Sequence, residues 1–163
     1  MDKHPVNAYF EDDHDRLDGL FRDFQSLKRT DPEKAKASFR EFKFGLQRHI
    51  IWEEEILFPI FESKTGLASG GPTEVMRREH REIGSILESI HEKVRAGNPE
   101  SDDEEAGLLG ILGLHNEKEE RILYPAIGRS LGPGEGEKVF EAMRTIPEAR
   151  YETCCNQHPP KNS

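Results

Sequence analysis

Residues His49-Ile50-Ile51-Trp52-Glu53-Glu54-Glu55-Ile56-Leu57-Phe58-Pro59 and residues His115-Asn116-Glu117-Lys118-Glu119-Glu120-Arg121-Ile122-Leu123-Tyr124-Pro125 are two versions of one pattern. Each opens on a histidine, places a glutamate four residues on, and closes with Ile-Leu-aromatic-Pro. The copies are offset by 66 positions, and the same offset separates His14 from His80. Chance readily aligns one histidine pair. It does not readily align two histidine pairs, a glutamate pair and a proline pair at one offset. The chain therefore reads as two helical hairpins, each with a His on its first helix and His-x-x-x-Glu on its second. Packed with pseudo-twofold symmetry, they bring equivalent residues to one centre.

The pattern around these motifs is helical. A first helix covers about residues 6–29, with Phe10, Leu17, Phe21 and Phe24 on one stripe. A second opens at Asp31-Pro32, an N-cap followed by proline at the first helical position. Its seam is Phe39, Phe42, Leu46, His49, Glu53, Ile56 and Ile60, in alternating steps of three and four. A third follows Gly70-Gly71-Pro72, with seam Met76, His80, Ile83, Leu87, Ile90 and Val94. A fourth follows Ala96-Gly97-Asn98-Pro99, capped at Ser101 or Asp102, with seam Leu108, Leu112, His115, Glu119, Ile122 and Ala126. Gly132-Pro133-Gly134 ends it, and a short fifth helix follows over about Glu135 to Thr145. Pro59 and Pro125, inside the second and fourth patterns, are read as helix-end devices that kink or stop the helix. No segment alternates as a strand. The expected fold is all-α: an up-down-up-down four-helix bundle with a short C-terminal fifth helix. It forms one domain over residues 1–146, and a polar tail over 147–163 is expected to fray.

A chain of 163 residues can bury a core without disulfide staples. Its 23 basic and 32 acidic side chains leave a net charge of −9. That charge repels a phosphate backbone and an anionic lipid surface, so neither nucleic acid nor membrane is an expected partner. No run approaches the roughly 18 apolar residues of a membrane span. No apolar signal region follows Met1-Asp2-Lys3-His4-Pro5. The adjacent Cys154 and Cys155 do not make a staple framework; read as two inert thiols, they fit a reducing cytoplasm.

The seams carry an oddity. His14, His49, His80 and His115, with Glu53 and Glu119, all fall on core-facing positions. A buried carboxylate costs several kcal/mol unless it is paired or metal-bound. Two carboxylates facing one centre also repel, and a pair of divalent cations between them removes the conflict. Residues i and i+4 lie one above the other on a helix. His49 with Glu53, and His115 with Glu119, can thus reach one cluster, each Glu bridging two metals and the imidazoles serving as terminal ligands. Mixed imidazole and carboxylate donors suit non-haem iron, with manganese and zinc also open. A lone seam His is more often a satisfied core residue, but six such residues in phase and in symmetry favour the metal. The ferritin-like di-iron pattern, Glu-x-x-His on two helices, fits once at Glu11 and His14 and fails at Arg77 before His80.

With His14, His49-x-x-x-Glu53, His80 and His115-x-x-x-Glu119, the sequence resembles the hemerythrin-like proteins with the HHE cation-binding domain, over about residues 6–130. The resemblance implies an oxo- or hydroxo-bridged pair of iron ions inside the bundle, with Glu53 and Glu119 as bridging carboxylates. Oxygen-carrying members have a second His four residues after the third-helix His, where this chain has Gly84. They place an Asp five residues after the fourth-helix His. Here that place holds Glu120, and Glu119 is preferred because both the seam and the repeat select it. The set is closer to the wider group that includes iron–sulfur-cluster repair proteins and iron-sensing domains. The repair proteins also carry a further His and an N-terminal domain not visible in this sequence.

Fewer nitrogen ligands leave more coordination positions open. The expected role is therefore binding or sensing a small ligand such as oxygen, nitric oxide or peroxide. A di-iron redox enzyme, of the peroxide-decomposing or iron–sulfur-repair type, is the alternative, and a metal-free helical interaction module is the second. Among other polar residues, Asp18 is a candidate acceptor behind His14, though a solvated carboxylate is the plainer reading. Glu79 is read as solvated, His91 as a surface residue, and His4 and His158 as terminal. Tyr9, Trp52 and Tyr124 are assigned to packing.

Overall fold

The structure is a computed structural model that describes residues 3–152. Helix α1 (Pro5–Leu27) starts where the His4 ring accepts a hydrogen bond from the Val6 N–H at 3.2 Å. Helix α2 (Pro32–Trp52) starts where the Asp31 carboxylate accepts from the Lys34 N–H at 3.3 Å, with Pro32 supplying the fixed φ of a first turn. Helix α2 runs without a break into a π turn, Glu53–Leu57, and on into α3 (Phe58–Thr65). Gly66, at φ 75°, closes α3 in the left-handed conformation that glycine adopts without penalty. Helix α4 (Pro72–Arg95) and α5 (Asp102–Lys118) follow. Four acidic residues, Asp102 to Glu105, occupy the first turn of α5, where the helix dipole favours them. Helix α5 repeats the device of α2: a π turn, Glu119–Leu123, leads into α6 (Tyr124–Ser130). Helix α7 (Glu135–Thr145) matches the expected fifth helix. The described chain is all-helical, and no strand occurs among the described residues.

Pro59 and Pro125 do not end their helices. Proline has no N–H to give to the carbonyl four residues back and clashes with it. The helix absorbs this by widening for one turn: the N–H of Phe58 bonds to the Glu53 carbonyl, and that of Tyr124 to the Glu119 carbonyl, five residues back. One extra residue per turn shifts every later side chain by one position. The apolar seam therefore leaves its expected phase after each Glu. Leu57 and Phe61 are buried in place of Ile56 and Ile60, and Leu123 and Ile127 in place of Ile122 and Ala126. Ile122 is 61% exposed.

Helices α1 and α2 pack along each other, as do α4 and α5. Gly45 permits the first approach, because a Cβ there would stand 2.7 Å from Leu17 Cδ2. Two apolar clusters result. One holds Leu17, Phe21, Phe39, Phe42, Ile83, Leu87 and Leu108 among others. The other holds Phe10, Ile51, Phe58, Met76, Leu123, Tyr124 and Ile127, and α7 adds Val139 and Met143 to it. Along each helix the seam histidines and glutamates fall between the two, so a polar layer is enclosed by apolar ones. The stretch after Pro147, expected in the fraying tail, instead forms a 3-10 turn, Glu148–Glu152. Its anchor is Tyr151, which is buried and accepts a 2.8 Å hydrogen bond from the Trp52 indole N–H. Cys154, Cys155 and His158 lie outside the described residues.

Candidate metal centre

The six seam residues meet. His14 comes from α1, His49 from α2, His80 from α4 and His115 from α5, while Glu53 and Glu119 open the two π turns. All are buried, and both glutamates are 0% exposed. Each imidazole turns Nε2 inward. His80 Nε2 is 3.2 Å from Glu53 Oε1 and His49 Nε2 is 3.5 Å from Glu53 Oε2. His14 Nε2 is 3.2 Å, and His115 Nε2 3.4 Å, from Glu119 Oε1. Two sets of donor atoms lie within 4.8 Å of one another: Glu53, His80, His115 and Glu119; and His14, His49 and Glu119.

Three of the outer nitrogens are hydrogen-bonded to carboxylates, and the repeat governs the arrangement of all four. His49 Nδ1 lies 2.9 Å from Asp13, and its counterpart His115 Nδ1 lies 2.9 Å from Glu79, 66 positions beyond Asp13. His80 Nδ1 lies 2.6 Å from Glu54, and His14 Nδ1 lies 3.5 Å from Glu120, 66 positions beyond Glu54. A carboxylate behind Nδ1 holds the proton there and leaves the Nε2 lone pair directed at the centre, as behind metal-bound histidines. Glu120 thus stands behind a histidine while Glu119 faces inward. Asp18 makes no hydrogen bond to His14 and is exposed. Glu79, read as solvated, carries both His115 and Lys118. His91 is remote from the centre, stacked 6.1 Å from Phe39 and with Nδ1 3.5 Å from Glu88.

Sequence reasoning missed three residues. Asp13 and Glu54 each sit one place from a seam residue and were not singled out; the 66-residue repeat, applied to Glu79 and Glu120, would have flagged both. Tyr124, assigned to packing, sends its hydroxyl into the middle of the centre. It donates to Glu53 Oε2 at 2.6 Å and lies 3.1 Å from Glu119 Oε1, 3.0 Å from His49 Nε2 and 3.2 Å from His14 Nε2. The π turn made this hard to see, since it alone brings a residue five places after Glu119 to the same face.

Without a bound cation the charges must answer one another. Burial opposes a charge on His49, but Glu53 and Asp13 outweigh it and push its pKa up to about 10. Burial likewise opposes His80, and the nearby carboxylates of Glu53, at 3.2 Å, and Glu54, at 2.6 Å, push it up to about 9. His115 is raised against its burial by Glu119. Burial works to raise Glu53, yet the adjoining His49 holds it well below the usual carboxylate range. Burial, then the two carboxylates, push the Tyr124 hydroxyl well above its ordinary value. Hydrogen bonding remains incomplete: Glu53 Oε1, Glu119 Oε2, His80 Nε2 and His14 Nδ1 are buried with no hydrogen-bond partner. Unpartnered carboxylate oxygens at the middle of a cluster of imidazoles fit a divalent cation. A cavity of about 10 Å³ adjoins the cluster, walled by Phe42, Ile83 and Leu112, with room for about one water-sized group.

An all-α chain with four imidazoles converging on two buried carboxylates defines a class of helical metal-binding proteins. The hemerythrin HHE cation binding domain model matches residues 6–127, and the chain belongs to that family. It is 30% identical over 126 residues to a DNA nickase of Nostoc sp. (strain PCC 7120 / SAG 25.82 / UTEX 2576), covering 77% of this chain and 34% of that protein. It is 28% identical over 105 residues to the iron-sulfur cluster repair protein YtfE of Enterobacter sp. (strain 638), covering 61% of this chain and 48% of the relative. Against YtfE of Edwardsiella ictaluri (strain 93-146) it is 44% identical over 45 residues, 28% of this chain and 20% of the relative. The chain thus spans about a third of the nickase and at most about half of these repair proteins. No solved structure matches significantly. Among the described residues, no helix is long and apolar enough to cross a membrane.

Proposed function

We propose that the chain is a non-haem di-iron protein that binds or senses a small ligand such as oxygen, nitric oxide or peroxide. One observation carries the reading: four Nε2 atoms, three of them on rings hydrogen-bonded to a carboxylate at Nδ1 and the fourth with Glu120 3.5 Å behind it, converge on two fully buried glutamates. His14, His49, His80 and His115 are the terminal ligands, and Glu53 and Glu119 the bridges. The four long helices are taken as an up-down-up-down bundle, which places these residues at equal depth. A bound iron pair would supply one-electron exchange and open coordination positions. The protein's own part is to hold Nε2 lone pairs inward, to enclose the site between apolar layers, and to admit only small molecules to the cavity beside Ile83 and Leu112. The reading includes a cytoplasmic setting. The net charge of −9 argues against carrying over to this chain the DNA chemistry named for the Nostoc relative.

Elemental analysis of the purified protein, read beside its spectrum in air and after mixing with each ligand, is the test. Close to two irons per chain, with a spectrum that changes on adding one of the ligands, is the expected result. Failure to take up metal after anaerobic reconstitution with ferrous iron would overturn it and leave a helical interaction module. The second reading, a redox enzyme, is favoured by the resemblance to the repair proteins. Catalytic consumption of peroxide without loss of iron would select it.

A further inference from the structure

We propose that Tyr124 supplies an oxygen ligand to the metal position formed by His14, His49 and Glu119, and so makes the two positions chemically unlike. The inference rests on the metal-binding reading above. It begins with a break in the repeat. Tyr124 and Phe58 occupy equivalent places, and each stacks on the first-helix histidine of one side: Phe58 on His80, with centroids 5.7 Å apart and planes at 11°, and Tyr124 on His14, at 5.7 Å and 27°. Only one of the two rings has a donor atom.

The donor sets are unequal in the complementary sense. Glu53, His80, His115 and Glu119 lie within 4.8 Å of one another, whereas around His14, His49 and Glu119 the bridging Glu53 is not within that distance of every member. The Tyr124 hydroxyl donates to the bridging Glu53 Oε2 at 2.6 Å and is 3.0 Å from His49 Nε2, 3.2 Å from His14 Nε2 and 3.1 Å from Glu119 Oε1; both imidazoles it approaches belong to this second group. Two ligands bound at about 2.1 Å and at right angles stand about 3.0 Å apart. The hydroxyl oxygen therefore keeps from His49 Nε2, His14 Nε2 and Glu119 Oε1 the distances that ligands of one metal keep from each other. The backbone fixes it there, because the Tyr124 N–H bonds to the Glu119 carbonyl and puts both side chains on one face. Phe10, with its ring 5.7 Å from that of Tyr124, helps to fill the space around it.

The hydroxyl keeps its proton while the carboxylates face it alone; cations among them reverse that field. On coordination the O–H bond breaks, the oxygen–metal bond forms and the proton leaves for solvent, as protons do when acidic ligands take up metal. An anionic oxygen donor favours the more highly charged ion, so the iron on this side would be the harder to reduce.

The test is optical. Apoprotein is loaded with ferrous iron, oxidised in air and assayed for metal. A phenolate-to-iron band in the visible, with tyrosine ring vibrations in Raman spectra excited within it, is expected of the unaltered protein. Tyr124→Phe should lose both, and Phe58→Tyr should gain a second contribution. Two irons per chain without tyrosine vibrations in the unaltered protein would overturn the inference while leaving the di-iron reading intact. So would a band unchanged in Tyr124→Phe. A protein that takes up no iron overturns both. The Raman spectrum of the unaltered protein decides the matter even if Tyr124→Phe does not fold.

Discussion

Asp13 and His49, on different helices, are joined behind the candidate centre by a 2.9 Å contact between the carboxylate and Nδ1. Arg16 holds the other oxygen of Asp13 at 2.9 Å, so the pair is anchored from outside. The contact turns α1 into a support for a ligand carried by α2. Asp13→Asn keeps the shape but not the charge. It should weaken metal binding about 10- to 100-fold with the helical fold retained. Titration against a competing chelator measures this, and an unchanged affinity would refute the supporting role.

Glu53 and Glu119 differ from the neighbouring Glu54 and Glu120 in facing inward. Glu53→Gln should lose at least one of two metals, because an amide bridges poorly. Glu120→Gln, behind His14 at 3.5 Å, should keep both. Metal counted per chain separates the cases, and full occupancy in Glu53→Gln would remove it from the ligand set. His91→Ala should leave the count unchanged.

With metal removed by chelation, stability should fall as the solution becomes alkaline. His49 and His80 have pKa values raised to about 10 and about 9 from an ordinary 6.5. A raised pKa stabilises the fold fully below the unfolded value, and that contribution is lost as pH climbs through the folded one. Glu53, held below its ordinary 4.5, adds stability above that value that is lost in acid. The urea midpoint should therefore be highest between about pH 4.5 and about pH 6.5 and drop towards pH 10. A midpoint that climbs over the alkaline range would contradict these charges. Metal affinity should move the opposite way and rise with pH, because protons on His49 and His80 must leave first.

Lys28 and Glu105 form a second buried polar cluster. Their charged atoms are 2.5 Å apart, with Ser101 bonded to the same carboxylate. Lys28 also bonds to Asp102 at 2.5 Å and keeps that partner when Glu105 is removed, so Glu105→Ala should cost about 1–3 kcal/mol and leave metal content alone. Thermal unfolding of metal-loaded protein tests both halves of that statement. Neither residue stands out in the sequence, where one is a Lys near a helix end and the other a Glu in an acidic first turn.

The seam residues were legible because they obey two rules at once, the helical period and the 66-residue repeat. The same rules hid the turn that follows them. Pro59 and Pro125 read as helix ends, since nothing in a linear pattern says that a helix will widen by one residue instead. From there the expected phase slipped, and Ile122 was placed inside while Tyr124 was treated as filling. Asp13 and Glu54 were invisible for a related reason. A residue beside a seam position looks solvated until the neighbouring helix is in place to present a ring nitrogen to it. Tyr151 was lost to composition, as a lone aromatic in a polar tail whose docking site on Trp52 only the fold creates.

The support contacts do not all stay within one half of the repeat. Asp13 with His49, and Glu79 with His115, are internal to their halves, but Glu54 reaches across to His80, and Glu120 faces His14. Each half thus orients a ligand of the other. A single hairpin that met its own copy would already have possessed the entire constellation, which makes this chain legible as two ancestral twins fused end to end. Within one chain the two halves need not match, and they differ here in carrying Phe58 on one side and Tyr124 on the other, something no identical pair can do.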